Sequence, residues 1–530
     1  MLYFIPAWYQ KNTWCENEQI WYVRRMHTEF DDTVKQIQLF HRSRAFPYQI
    51  MLLSFAPNFR HFLHRQSVFH ASYWSCFDAI QGVRRKQPVV LSFHNLKWPA
   101  NIEFVYTPFV VTALLCGEKY AQIEFGEDGN PIQIDLYQNG KISRRNIYDD
   151  RGFVSATILY QDEKPLYQDY LMENGAWKIR RFFQDGHVEV NPKHPEYLLV
   201  SQEKEEVRKF SKLSYDSLDQ VIFETLASYL KLADEKDIFC VAMHDRHTTV
   251  LKEALRGRKT ILSFFSDRCM IGKNQKAMEM IKRADYMIAD SGENLEKLRT
   301  AGNASAKHMT SITPYDSRTD FGTSRQLDVQ KIMVPVDGME EEDFQELIRL
   351  LGAYVTEHNG VQVHLFTRKA ELDRKRNLLS RTRKYLEQAG FHKGMAEEET
   401  KRHAAENNLD ESLVPVRFFV EQCVDELAVS KCMREQRVMA DVRKAPELYL
   451  QIASISIGIP QIVRKKTEFV EHGKNGVVLK DMKKLGEALS HYLDTMANWN
   501  EAMVYAYELG KKYTTERLME KWKEVIRFVG

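Results

Sequence analysis

Short apolar runs separated by amphipathic stretches recur along this chain of 530 residues, and no other feature constrains its fold as much. Such runs lie at residues 2–5, 49–55, 89–93, 238–243, 260–265 and 286–289, and again at 331–336, 361–366, 415–419 and 461–463. They are too short for helices and too continuously apolar for a sheet with one wet face. That predicts strands buried on both sides, the signature of parallel sheets. Between them, Leu218, Val221, Ile222, Leu226, Tyr229 and Leu230 stand at helical spacing, as do Phe344, Leu347, Ile348 and Leu351. Strand alternating with helix specifies an α/β protein with helices on both sheet faces. The length exceeds what one core serves, so two or three domains are expected.

Between residues 104 and 190 the texture changes. Asp128-Gly129-Asn130, Asn139-Gly140, Asp150-Arg151-Gly152, Asn174-Gly175 and Asp185-Gly186 punctuate short alternating segments, which marks successive hairpins. This block reads as an antiparallel meander inserted into the first alternating region. Residues 313–330, with Pro314 and Gly322, read as an interdomain linker. Residues 368–409 lack strand patterns and suggest a loop near 390–399. Leu518, Trp522, Val525 and Ile526 share one face of a terminal helix. The expected organisation is a discontinuous Rossmann-type domain (1–103 and 191–320), the insertion (104–190), a second Rossmann-type domain (321–512) and a helix crossing back (513–530).

Lys plus Arg at 75 nearly balances Asp plus Glu at 73, and clusters such as Arg84-Arg85-Lys86 and Arg256-Gly257-Arg258-Lys259 are dispersed. Nucleic acid is therefore not an expected partner, and peripheral docking on anionic lipid stays open. The seven cysteines form no Cys-x-x-Cys pair and read as reduced thiols of a cytoplasmic protein. Met1-Leu2-Tyr3-Phe4-Ile5-Pro6 lacks a basic leader, and the apolar run at 109–116 is far below the ~20 residues of a membrane helix. No Walker loop, zinc pair, dinucleotide fingerprint or Gly-x-Ser-x-Gly is present, so neither a cofactor nor a metal is expected.

One stretch carries more specific information. Ala445-Pro446-Glu447-Leu448-Tyr449-Leu450-Gln451-Ile452-Ala453 leads into a Gly458-Ile459-Pro460 turn, followed by Gly473-Lys474-Asn475-Gly476. It resembles the sugar-nucleotide half of a GT-B glycosyltransferase, whose retaining members carry Glu-x7-Glu ahead of a Gly-x-Pro turn and a later Gly-x-Asn-Gly. The resemblance implies two Rossmann-type doubly wound domains facing a cleft. Counting back from Gly458, the family's two donor-binding glutamates fall on Ala445 and Ala453. Losing one charge-assisted hydrogen bond costs ~1.5–3 kcal/mol, so losing two removes much of a donor's affinity.

Two further departures point the same way. Where family members lead from the first strand of the nucleotide domain into phosphate-neutralising cations, residues 331–336 run into Asp337-Gly338-Met339-Glu340-Glu341-Glu342-Asp343. Those acids either repel a diphosphate or complement a helix N-terminus. After the first strand, Ala7-Trp8-Tyr9-Gln10-Lys11-Asn12-Thr13-Trp14 offers bulky aromatics where a glycine-rich loop is usual. Against these stand His244-Asp245-Arg246-His247 and His94, each after a strand-like run, which read either as catalytic groups or as polar helix starts. Asp290-Ser291-Gly292-Glu293-Asn294 reads as a capped turn.

Combined with the meander, the strings at 284–291, 417–420, 447–452 and 467–470 resemble the glycosyltransferase-like member of the three-protein Asp complex in the accessory Sec system of Gram-positive bacteria. That resemblance implies a non-catalytic adaptor. Its partners would be two sister subunits, a SecA-type motor ATPase and a glycosylated serine-rich repeat adhesin. The alternative is a divergent GT-B transferase adding a sugar to a serine-rich protein. Tyr160, Tyr167, Tyr170, Trp177 and Phe182 either present a binding surface or form the insertion's packing face.

Overall fold

The structure, a computed structural model, describes residues 1–10, 13–15, 28–201, 204–269, 275–301, 308–397 and 414–530. A parallel sheet of seven strands runs in the order Met309–Ser311, Tyr286–Ala289, Lys259–Phe264, Ile238–Ala242, Leu2–Ile5, Tyr48–Leu52, Tyr73–Ser75. The chain begins in the middle, winds one way to Tyr73–Ser75 and later the other way from Ile238–Ala242. The switch point lies where Ile5 pairs with Val241. A second parallel sheet orders Phe418–Gln422, Val361–Thr367, Gln330–Pro335, Val438–Asp441, Gln461–Val463 and Gly476–Val478, switching where Ile332 meets Val438. In sheets of this kind ligands bind past the carboxyl ends at the switch point.

The local causes are direct. All of Leu2–Ile5 is buried, as a strand covered on both faces requires. The helix Glu341–Glu357 buries Phe344, Leu347, Ile348, Leu351 and Val355, and it opens with Glu341, Glu342 and Asp343 in its first turn, where carboxylates oppose the helix dipole. The residues at 89–93 form no strand. Val89 and Val90 are exposed, and Phe93 begins a 3-10 turn, Phe93–Asn95, that packs over Val111, Ile123 and Ile134. Apolarity there serves a lid on another sheet. Conversely Tyr73–Ser75, Met309–Ser311, Val438–Asp441 and Gly476–Val478 are strands that no apolar run announced, each too short to leave a periodic pattern.

A ten-stranded antiparallel sheet runs from Ile102–Tyr106 to Val188–Val190 and closes on Ser214–Tyr215 at one edge, while Glu196–Val200 pairs separately with Glu205–Lys209. Antiparallel pairing thus reaches past residue 190. Gly152, at φ +86°, turns one hairpin, and a Cβ there would stand 2.2 Å from the Val89 carbonyl oxygen. One half of this sheet joins the first core: Ala156, Tyr170, Ile179 and Val188 pack with Trp74, Phe77 and Tyr229. Tyr170 is wholly buried, so it cannot belong to an exposed surface, whereas Tyr160, Tyr167, Trp177 and Phe182 are half-buried.

Among the contacts that tie the parallel units together, two cross in opposite directions. The terminal helix Thr515–Val529 returns to the first unit, where Leu518, Met519, Trp522 and Val525 pack with Phe4 and Phe40. In the opposite direction Phe30, just before the first helix Asp32–Ser43, is buried in the core of the second unit. Of the loop expected near 390–399, the 3-10 turn Lys393–Met395 is described, and 398–399 lie outside the described residues. Lys11 and Asn12 of the aromatic stretch after the first strand also lie outside them, while Trp8, Tyr9 and Trp14 are buried.

Candidate functional site

The carboxyl ends of the two parallel sheets face each other across a cavity of about 1120 Å³. Trp8, Tyr9, Asp31, His244, Arg268 and Asp290 line it from the first unit, and Arg368, Arg443, Ala445, Glu447, Tyr449 and Glu468 from the second. Carboxylates and cations are interleaved on both walls.

On the first wall Asp31 caps the helix Asp32–Ser43. Its Oδ1 accepts from the Thr33 amide at 2.9 Å and from Trp8 Nε1 at 3.0 Å. Arg268 donates to Asp31 Oδ2 at 3.0 Å and grips Asp32 through both terminal nitrogens, at 2.5 and 3.0 Å. Burial, then the neighbouring Asp32, pushes the Asp31 carboxyl upward, while Arg268 opposes the shift. His244 is the N-cap of the helix Asp245–Ala254, its Nδ1 accepting from the Arg246 amide at 3.0 Å. Burial and the nearby Arg268 lower its pKa to about 4, so the imidazole is neutral at physiological pH. Tyr9 hydroxyl and His247 Nδ1 lie 2.9 Å apart, both buried. Asp290 accepts from the Ser266 amide and from Asn294 Nδ2, each at 2.7 Å, and Ser291 Oγ caps the Asn294 amide at 3.3 Å. The polar turns at 244–247 and 290–294 are thus both helix starts that border the cavity. His94 lies elsewhere, with its ring against Phe104 of the antiparallel sheet.

On the second wall Arg368 follows the strand Val361–Thr367, where a cation can meet an anionic ligand. It is ion-paired with Glu447, and its guanidinium lies 3.5 Å from the centroid of the Phe30 ring. Arg443 forks onto Asp441 at 2.8 and 2.7 Å and donates to the Asp337 carbonyl at 3.1 Å. The Asp337 carboxylate accepts from Thr367 Oγ1 (2.6 Å), the Arg368 amide (2.7 Å) and Arg374 (2.8 Å), so it braces the loop carrying Arg368. Glu340, Glu341 and Asp343 pair with Lys444, Arg381 and Arg464 at 2.6, 2.6 and 3.0 Å. Of the three donor-site positions singled out in sequence, Ala445 lines the cavity; Ala453 is half-buried against the second core and Asp337 sits behind the wall.

The Gly473-Lys474-Asn475-Gly476 loop is held by its asparagine: Asn475 Nδ2 donates to the Phe469 carbonyl and its Oδ1 accepts from the Glu471 amide, both at 2.8 Å. At the cavity rim Lys465 meets Glu293 at 2.7 Å, and the Gly292 amide donates to Glu468 at 3.1 Å. Sequence reasoning did not single out Phe30, Arg268, Arg368 or the pairing role of Glu447. Arg368 alone left a signal, as a cation directly after an apolar run. Among the described residues no group of His, Cys, Asp and Glu could hold a metal ion, and no helix is long and apolar enough to cross a membrane.

Two doubly wound parallel sheets with their switch points turned to a common cleft define the GT-B glycosyltransferase class of fold. The pneumococcal O-GlcNAc transferase GtfA, solved in complex with UDP and GlcNAc, shares it with a TM-score of 0.69 at 12% identity, over 100% of this chain and 98% of that one. Within that class, the chain belongs to the family of accessory Sec system proteins of the first Asp type, which it matches over residues 1–528. It is 32% identical to the accessory Sec system protein of that type from Streptococcus gordonii, over 99% of both chains. A solved structure of accessory secretory protein 1, 2 and 3 in Streptococcus pneumoniae contains a chain of TM-score 0.78 and 27% identity, with 100% of each chain covered.

Proposed function

We propose that this chain is a non-catalytic GT-B scaffold in accessory Sec export. In this reading it assembles with counterparts of accessory secretory proteins 2 and 3 and helps present a glycosylated serine-rich adhesin to a SecA-type motor. It works in the cytoplasm, with peripheral contact to anionic lipid at the membrane. The division into residues 1–103 with 191–320, 104–190, 321–512 and 513–530 is its working anatomy, the insertion serving partner contact and the second unit a closed donor site.

The observation that carries the reading is Arg368. A diphosphate needs cations whose charge is not already matched, and this one is paired with Glu447 and covered by Phe30. Of the other cavity cations, Arg268 is matched by Asp31 with Asp32, Arg443 by Asp441, and Lys297 and Lys465 by Glu293, while the exposed Lys466 has no carboxylate partner among the described residues. Ala445, onto which the resemblance maps one of the family's donor-binding glutamates, lines the cavity with a methyl group in place of a carboxylate. The size of the cavity favours the second reading, a divergent transferase, since about 1120 Å³ holds a nucleotide sugar. Calorimetric titration with UDP-glucose and UDP-N-acetylglucosamine decides between them, run beside the double variant Ala445→Glu, Ala453→Glu with a folding control. Silence from the natural chain is expected; micromolar binding overturns the scaffold reading.

A further inference from the structure

The ten-stranded sheet ends at Ile102–Tyr106, and nothing pairs with the outer side of that strand among the described residues. Its inner side pairs with Val111–Leu115 around the turn in which the Thr107 amide donates to the Val110 carbonyl at 3.0 Å. Counting back from that hydrogen-bonded pair, Val105 faces Thr112 and Glu103 faces Leu114 as the pairs that exchange ladder bonds. Ile102, Phe104 and Tyr106 therefore turn their amides and carbonyls outward, and among the described residues none of these groups meets a backbone partner beyond the sheet.

Soluble proteins blunt such an edge with lysine, proline, a bulge or a covering segment. Ile102-Glu103-Phe104-Val105-Tyr106 has no lysine or proline, and its pairing with Val111–Leu115 is regular at Val105 and Tyr106. The Phe93 lid covers one face of the strand, with Phe104 against Phe93, His94 and Trp98 at 5.2–5.4 Å between ring centroids. The opposite face and the tip are open: Val105 is 45% exposed, Tyr106 62% and Phe109 54%. Beside the tip, Phe109, Val111 and Phe125 border a groove of about 360 Å³.

We propose that this edge receives a β-strand from a partner subunit, which extends the sheet by one strand. The inference rests on the assembly reading above and names the surface it uses. The chemistry of the occupant follows from the edge. It is an extended segment with outward amides and carbonyls of its own; on the open face it carries an apolar side chain beside Val105 and, two positions away, a lysine or arginine opposite Glu103, and on the other face an apolar side chain beside Tyr106 at the groove. A second copy of this chain fits less well, because antiparallel self-pairing about Phe104 brings two Glu103 carboxylates onto the same face within the reach of diagonal neighbours.

The test uses the full chain with its co-expressed counterparts of accessory secretory proteins 2 and 3, read by hydrogen–deuterium exchange and by dissociation constant. Tyr106→Pro removes an outward amide without touching the inner ladder, and Tyr106→Ala, which gives up the same ring and its hydroxyl contact to His94 Nε2 at 3.2 Å but keeps the amide, is its control. Val105→Lys is a second variant that alters only the open face. Expected are slowed exchange at Ile102, Phe104 and Tyr106 in the complex and at least about tenfold weaker assembly for Val105→Lys, and for Tyr106→Pro relative to Tyr106→Ala, with melting of the isolated chain unchanged in Val105→Lys and the same in Tyr106→Pro as in Tyr106→Ala. An intact complex with unslowed exchange at these amides overturns this surface while leaving the assembly reading in place. No complex from the natural chains overturns both. Slowed exchange in the isolated chain, accompanied by a dimer in sedimentation, replaces the partner strand by a second copy.

Discussion

Replacing Glu447 by glutamine keeps the shape of the cleft wall while stripping Arg368 of its counter-charge. The side chains of Arg368 and Glu447 are 13% and 28% exposed. The pair therefore lies between a buried one, where removing one partner costs about 3–5 kcal/mol, and a surface one, worth about 1 kcal/mol or less. A loss of about 2 kcal/mol follows, which lowers the melting temperature by roughly 2 °C for a chain of 530 residues that melts in one transition. An anion able to enter the cleft should then substitute for the lost carboxylate. At about ten times its dissociation constant it returns about 1.4 kcal/mol. The assay is thermal melting in low salt with rising inorganic pyrophosphate, for the natural chain, Glu447→Gln and Glu340→Gln, whose pair with Lys444 is exposed. Pyrophosphate should stabilise Glu447→Gln alone. If Glu447→Gln melts with the natural chain, or if pyrophosphate stabilises the natural chain equally, Arg368 is not neutralised by Glu447.

Three other outcomes are expected. His244 binds a proton near pH 6.5 when unfolded but only near pH 4 when folded, so its contribution is complete above pH 6.5 and is lost as pH falls toward 4. Discounted for its partial exposure, that is roughly 1–2 kcal/mol, and His244→Asn should flatten this slope in urea unfolding at pH 7 and 5 while retaining an N-cap. Phe30→Ala should cost about 3–5 kcal/mol and split one melting transition into two in calorimetry, because Phe30 belongs to the second core while its chain belongs to the first unit. Gly476→Ala places a Cβ 2.2 Å from the Gln461 carbonyl oxygen, so the variant should lose soluble yield or melt more than about 5 °C lower.

The fold was readable where each element buries one kind of surface along its length. The runs at 2–5, 286–289 and 461–463 match strands residue for residue because their side chains are buried almost throughout, which leaves no ambiguity of period. The run at 89–93 misled because a lid needs the same apolar residues as a strand, and only the partner surface, here Val111, Ile123 and Ile134, distinguishes them. At the cleft, the spacing to Gly458 singled out Ala445 and Ala453, of which Ala445 lines the cavity. The pairing of Arg368 with Glu447, and of Arg268 with Asp31 and Asp32, joins residues far apart in the chain, so no local pattern could announce it. The same holds for Phe30, an ordinary aromatic until the second unit closes over it.

Phe30 bears on how force and motion pass through the molecule. Its carbonyl accepts from the Tyr315 hydroxyl at 2.5 Å, and its ring meets Tyr449 edge-on at 4.7 Å, so the joint is pinned from the segment after the first sheet and from the second unit at once. A hinge that must admit and release cargo on every cycle would be jammed by such a dowel at its mouth. Two lobes doweled together, with the terminal helix strapped across the back by Trp522, behave as one stiff beam. Surfaces at its two ends keep a fixed spacing, and a partner gripping one end would feel a pull applied at the other without slack.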